Sequence, residues 1–341
     1  MQRGIKFHSW VVLLAGLLLV SCTGKKSGTG ISLIRTEVPE RSAGQTHVLG
    51  LTAPKLDTVR VGFIGLGMRG PGAVERFTHI PGVKIVALCD KHADRVERSQ
   101  KILEKAGFPL AASYSGSEEA WKELCQRDDI DLVYIVTDWQ HHAEMMLYAM
   151  EQGKHVACEV PAAMTLEEIW KVVDTAERTR KHCMMLENCV YDFFELTTLN
   201  MARHGLFGEI LHVEGGYLHN LEDFWDYYES DWRMRYNKAH RGDVYPTHGF
   251  GPACQLLDIH RGDRLDYLVS MDTKPVNIPE YLIEKRGNGG GQCLRFPQRG
   301  AHDDDGSHGK GEDHTDPSRR FLAASLFAVL RGDGDEGICA E

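Results

Sequence analysis

Val59-Arg60-Val61-Gly62-Phe63-Ile64-Gly65-Leu66-Gly67-Met68-Arg69-Gly70 decides the fold. An apolar run (Val59, Val61, Phe63, Ile64) enters three glycines at G-x-G-x-x-G spacing, and a helix-compatible stretch, 73–79, follows. A second apolar run, 83–88, then ends at Asp90, twenty residues past Gly70 (90 − 70). Strand, glycine turn, helix, strand and acid in that order form a dinucleotide-binding fingerprint. Gly65 permits the tight turn, Gly67 lets the backbone approach a pyrophosphate, and Gly70 lets helix and strand pack closely. The phosphates then lie on the free N–H groups at the helix start. Asp90 accepts hydrogen bonds from ribose hydroxyls and repels a 2′-phosphate, so NAD is the expected cofactor.

The alternation continues downstream. Predicted helices at 91–106, 118–126, 141–152 and 166–179 separate apolar strands at 132–137, 155–159 and 183–187. Short continuous apolar strands between amphipathic helices describe a parallel sheet covered on both faces. The fold class is therefore α/β, an N-terminal Rossmann doubly wound parallel sheet over 58–188 with its ligand site at the carboxyl ends of the strands. Beyond it, a helix at 193–203, a strand at 209–217, a helix at 251–258 and a strand at 265–271 predict a C-terminal α+β open-sheet substrate domain over 189–284, incomplete as it stands.

The net charge of −10 offers no basic stripe for phosphate neutralisation, which excludes nucleic acid as a partner. Arg3 and Lys6 precede an apolar stretch, 10–20, and Leu19-Val20-Ser21-Cys22 has the form of a bacterial lipobox. Residues 1–21 are expected to be a signal peptide, Cys22 an acylated membrane anchor at the cell membrane, and 22–57 a flexible tether. A plain secretory signal is the alternative. Eight cysteines remain after Cys22 with no C-x-x-C pair, and most read as small buried apolar groups. No metal is expected.

The glycine fingerprint, Trp139-Gln140-His141-His142 after the fourth strand and Glu159-Val160-Pro161 after the fifth resemble the Gfo/Idh/MocA oxidoreductases. Most of those carry lysine where Val160 stands, and that lysine helps deprotonate a sugar hydroxyl. Within that superfamily, Leu186-Glu187-Asn188-Cys189, Gly216-Tyr217, Trp232-Arg233 and Gly242-Asp243-Val244-Tyr245-Pro246-Thr247-His248-Gly249 resemble glycoside hydrolase family 109, bacterial NAD-dependent α-N-acetylgalactosaminidases. The resemblance implies cofactor contacts at Gly65, Gly67, Met68, Arg69, Gly70, Asp90, Trp139, Gln140, His141, His142, Glu159, Val160, Asn188 and Tyr245. It implies sugar contacts at Tyr217, Arg233, Tyr245, Pro246, Thr247 and His248.

The family mechanism needs no pair of carboxylates flanking the glycosidic bond, and none is evident here. Tightly bound NAD takes hydride from C3 of the sugar, the ketone acidifies the C2 proton, the aglycone is eliminated, water adds, and the hydride returns. Acid/base groups are needed near C3 and C2. His248 is the candidate at the C3 hydroxyl, since imidazole titrates near working pH; Tyr245 and Tyr191 are both candidates at C2. His142 is favoured over His141 as the cofactor contact. Phe224, Trp225, Tyr227, Tyr228, Trp232 and Tyr236 suit a sugar's C–H face or, equally, pack a long loop.

Two other functions compete with glycan hydrolysis: a sugar dehydrogenase that releases NADH, and a non-catalytic surface lipoprotein that binds glycan or nucleotide. An oligomer is compatible with all three. Residues 285–341 depart from the family. They hold eleven glycines and three aspartates at 303–305, without strand alternation before the apolar run 321–330. Members of the family continue with more strands and a further sugar-contacting tyrosine that has no counterpart here. A disordered tail and a shift of reading frame near 285–290 both account for this, and the second is the working expectation. Resequencing the gene across that window is expected to show the shift; an intact frame leaves the disordered tail.

Overall fold

The computed structural model of the protein describes residues 38–220, 224, 232–240, 243–272, 280, 281, 284 and 324–329. Cys22, the signal segment and most of 285–341 lie outside the described residues, as do Trp225, Tyr227 and Tyr228. The chain divides into two compact units: 1–41, of which only 38–41 are described, and 42–341, which holds every element below.

The first half follows β1 (Val59–Ile64), α1 (Gly70–Phe77), β2 (Val83–Cys89), α2 (Ala93–Lys105), β3 (Ala112–Tyr114), α3 (Ala120–Cys125), β4 (Leu132–Ile135), α4 (Trp139–Glu151), β5 (His155–Cys158), α5 (Leu166–Thr179) and β6 (Cys183–Met185). Its six strands are ordered β3-β2-β1-β4-β5-β6 and the pairings are all parallel. The order reverses between β1 and β4, and there the crevice for a nucleotide opens. Alternation along each strand divides the core. Val61 and Phe63 of β1 and Tyr134 of β4 join α1 and α2 on one face; Ile64, Val133 and Ile135 join α3, α4 and α5 on the other.

Local chemistry sets the ends of these elements. The Asp138 side chain accepts from the Gln140 N–H at 3.2 Å, so α4 starts at Trp139, two residues before the predicted start. Thr165 and Glu168 form a reciprocal capping box on α5. β3 was not expected, because Ala112-Ser113-Tyr114 is too short and too polar to stand out as a strand. Part of the expected tether 22–57 is docked: Gln45 Nε2 donates to Glu177 at 2.8 Å, Arg180 donates to the Thr46 and His47 carbonyls, and Val48 packs on the core.

The second half comprises a 3₁₀ turn (Asn188–Tyr191), α6 (Phe193–Arg203), α7 (Trp232–Ala239), α8 (Pro246–Leu256), β7 (Tyr267–Asp272) and β8 (Ala324–Val329). β8, from the atypical tail, pairs antiparallel with β7. The expected strand 209–217 is a correction: these residues form no strand and pair with none among the described residues. What holds the segment is glycine packing, since a Cβ on Gly215 would lie 2.7 Å from the Gly249 carbonyl oxygen. Phe193, Phe194, Leu206, Leu211 and Leu218 are exposed in this half. No described helix is long and apolar enough to cross a membrane.

Phe63 is fully buried, stacks on Tyr134 at 5.1 Å and meets the edge of Phe77 at 5.1 Å. Phe63→Ala is expected to cost about 3–5 kcal/mol, read as a lower urea midpoint with an unchanged slope. A loss under about 1 kcal/mol would show that this aromatic trio does not hold the sheet.

Candidate active site

The site is built from the β1–α1 turn outward. Gly65 sits at φ +94°, and a Cβ there would lie 2.6 Å from the Val136 carbonyl oxygen. A Cβ on Gly70 would overlap the Gly65 carbonyl. At Gly67 only the Arg95 guanidinium comes near, at 3.6 Å, so its backbone stays open to a ligand. Arg98 of α2 braces this turn from outside, donating to the Leu66 and Gly67 carbonyls at 2.9 and 3.2 Å.

Asp90 closes the turn on its other side. Its Oδ2 accepts the Leu66 N–H at 2.7 Å and its Oδ1 the His92 N–H at 2.9 Å, while Arg95 stands 3.5 Å away. The carboxylate is 7% exposed, and each oxygen keeps a lone pair for a ribose hydroxyl. Arg95 and Arg98 escaped the sequence reading because helix-face arginines ordinarily read as solvated charge.

A cleft of about 540 Å³ runs from this turn across the sheet's switch point. Gly65, Gly67, Met68, Arg69, Asp90, Trp139, His141, His142, Glu159, Val160, Arg233 and Tyr245 all line it, so twelve of the expected residues share one wall system. Lys91 and Arg95 add positive charge beside Asp90, and His92 lines the cleft with them. Gly70, Gln140, Asn188, Tyr191, Tyr217, Pro246, Thr247 and His248 do not line it. Asn188 and Tyr191 are exposed, as is Gln140 in the first turn of α4.

The two histidines of α4 divide their work. His142 is 1% exposed, with Nδ1 at 2.7 Å from the Pro161 carbonyl and Nε2 at 3.2 Å from the Thr137 carbonyl. Burial holds its imidazole below the ordinary value, the two carbonyls opposing. It pins the loop after β5 to the end of β4. His141 is exposed and bonds Asp138 at 2.7 Å. Glu159 accepts the Tyr134 hydroxyl at 3.0 Å, and Val160, 7% exposed, fills an apolar place before Pro161.

Trp139 joins the two halves. Its ring lies edge-on to Trp232 at 4.5 Å, Tyr236 at 4.9 Å and Tyr245 at 5.1 Å. Arg233 Nε donates to the Tyr245 hydroxyl at 3.4 Å and its guanidinium lies over Trp232. Pro246 starts α8, five residues before the predicted start at 251, and the Asp243 side chain accepts the Tyr245 N–H at 2.8 Å. His248 therefore falls in the first turn. It is 4% exposed, flanked by Tyr217 at 4.3 Å and Tyr245 at 5.2 Å, and its Nδ1 is 2.5 Å from Glu187 Oε1.

Glu187, two residues past β6, belongs to the Leu186-Glu187-Asn188-Cys189 motif but was assigned no contact or catalytic role there. Burial alone raises its carboxyl, but hydrogen bonds from His248, Thr247 and the Cys189 N–H outweigh it and hold the group below the ordinary range. With Cys189 the pair brings three candidate metal-ligand atoms within 4.8 Å of one another. Burial pushes the Cys189 thiol up to about 11, and Glu187 is already bonded to His248, so this geometry is that of a hydrogen-bonded pair. The six described cysteines are free, and burial pushes Cys89, Cys125 and Cys183 up to about 12.

Residues 59–187 match the NAD-binding Rossmann fold of the Gfo/Idh/MocA oxidoreductase family, and 191–294 match the C-terminal domain of glycosyl hydrolase 109. Glycosyl hydrolase family 109 proteins of Bacteroides fragilis (strain YCH46) and Porphyromonas gingivalis are each 70% identical over 275 and 281 residues, covering 81% and 82% of this chain. The chain belongs to glycoside hydrolase family 109. It spans 59% and 60% of the length of those two family 109 relatives. In fold it is similar to a myo-inositol 2-dehydrogenase of Lactobacillus plantarum, with a TM-score of 0.53 at 21% identity over 65% of this chain and 62% of that one. A scyllo-inositol dehydrogenase of Lactobacillus casei gives 0.53 at 16% identity over 67% and 63%.

The family 109 cleft fits a dinucleotide by its own geometry: an open backbone at Gly67, helix N–H groups behind Gly70, and Asp90 at the ribose end. Asp90→Ser keeps an acceptor for Leu66 while removing the charge that opposes a 2′-phosphate and pairs with Arg95. NADH affinity is expected to fall about 10- to 100-fold while that for NADPH rises, measured by titrating nucleotide fluorescence. An unchanged ratio of the two affinities would remove Asp90 from cofactor choice.

Proposed function

We propose that this chain is built to hydrolyse terminal α-N-acetylgalactosamine from glycoconjugates, using a tightly held NAD that is regenerated in each cycle. One observation carries the reading. Arg233 and Tyr245, from the family 109 half, line the same cleft as the glycine turn and Asp90, so sugar-facing groups and nucleotide-facing groups share one cavity. Val160 supports it further, because an apolar side chain in the place of the superfamily's lysine withholds the proton acceptor of a simple dehydrogenase.

When bound, NAD supplies reversible hydride acceptance, which makes C3 of the sugar a transient ketone and its C2 proton acidic. The chain's own groups supply the rest. Arg233, with its forked donors, orients a sugar oxygen and holds the Tyr245 hydroxyl. Tyr245 reaches the cleft and is the better placed of the two tyrosines for the C2 proton, since Tyr191 is 58% exposed outside it. His248 lies outside the cleft lining but stacks on the Tyr245 ring at 5.2 Å and packs beside Tyr217 at 4.3 Å, and it is the proton acceptor assigned to the C3 side. Trp139 keeps Tyr245 and Trp232 against the nucleotide wall, which excludes water from the reacting carbons.

A chromogenic α-N-acetylgalactosaminide offered without added NAD separates the readings. Aglycone release with no net NADH is the expected outcome. Accumulating NADH points instead to a sugar dehydrogenase, and silence to a glycan- or nucleotide-binding protein without catalysis.

A further inference from the structure

We propose that Glu187 is a positioning residue: it fixes the proton of His248 on Nδ1 and so presents Nε2 as the base for the sugar's C3 hydroxyl. The inference rests on the glycosidase reading for the identity of the proton, but not for the state of the imidazole. An ionised carboxylate only accepts, so the 2.5 Å contact between Glu187 Oε1 and His248 Nδ1 places a hydrogen on Nδ1. The neutral ring then carries its lone pair on Nε2. When Nε2 takes the hydroxyl proton, the resulting imidazolium stays paired with the carboxylate, and the proton returns to O3 when the hydride does.

Both partners are held rigidly from several sides. The side chains of His248 and Glu187 are 1% and 9% exposed, and the Cys189 N–H donates to the same Oε1 at 3.0 Å. Gly251, one turn along α8, makes room, since a Cβ there would come 3.1 Å from Glu187 Cγ. The Gly215–Gly249 contact clamps α8 from the opposite side. Glu187 Oε2 is buried as well, and the Thr247 side chain beside it favours the ionised form. Such an arrangement is costly as a structural prop and effective as a way to orient an imidazole.

The test uses the full chain labelled with ¹⁵N-histidine, the His248 signals being those lost in His248→Gln. The wild type is expected to show a protonated Nδ1 and a bare Nε2. In Glu187→Gln the side-chain amide can donate to Nδ1, and the Nε2–H tautomer is expected to gain. In turnover, Glu187→Gln is expected to lower kcat by roughly 10²–10⁴-fold with KM and NAD content kept, and Glu187→Asp to recover part of the loss. A wild-type Nε2–H tautomer, or activity lost only together with melting temperature and bound NAD, overturns the proposal. If the wild-type chain releases no aglycone, the glycosidase reading fails, while the imidazole spectrum still decides the place of Glu187.

Discussion

Between the end of β1 and the start of α1 there is no room for a side chain. Gly65 needs its positive φ and Gly70 lies against the Gly65 carbonyl, so the turn folds only with hydrogen atoms in those places. Everything that recognises a nucleotide follows from this close approach. It aims the first N–H groups of α1 into the crevice, brings the Leu66 N–H onto Asp90, and gives Arg98 two carbonyls to brace. The switch in strand order beside it then sets where every later strand delivers its polar residues.

How much of this was legible depends on the distance over which each constraint acts. The β1–α1–β2 unit could be read because glycine spacing, apolar runs and Asp90 lie within thirty-two residues of one another (90 − 59 + 1). The other long strands declared themselves by short apolar runs. Glu187 did not, because its meaning lies in a partner 61 residues away, nor did Arg98, whose carbonyl partner Leu66 is 32 residues upstream. Pro246 carried an overlooked signal: proline at the first helical position moves the start of α8 forward and puts His248 in its first turn.

The second half was read less well for a reason peculiar to sheets. A helix satisfies its own backbone, whereas a strand exists only beside a partner, so the alternation in 209–217 predicts a strand that forms only if another lies next to it. Here β7 takes β8, and 209–217 is held through Gly215 against α8. The phenylalanines at 193 and 194, 87% and 75% accessible, lie in this same half. A chain with this surface uncovered is prone to association, which bears on any measurement made at high concentration.

The two halves nonetheless meet at defined points, and these lie at the carboxyl edge of the parallel sheet. Trp139 starts α4 just after β4 and touches three rings of the second half. Glu187 leaves β6 and takes the imidazole of α8. The proposed cycle, in which an oxidation is reversed, would demand that proton and hydride acceptors keep a fixed mutual geometry, because a base displaced by even an ångström loses much of its effect. Anchoring the proposed acid/base groups to the strand ends that frame the nucleotide meets that demand. On this view Trp139 and Glu187 do the same job at two strand ends, one by ring packing and one by a charged hydrogen bond. The charged one also decides which nitrogen of His248 is free to react.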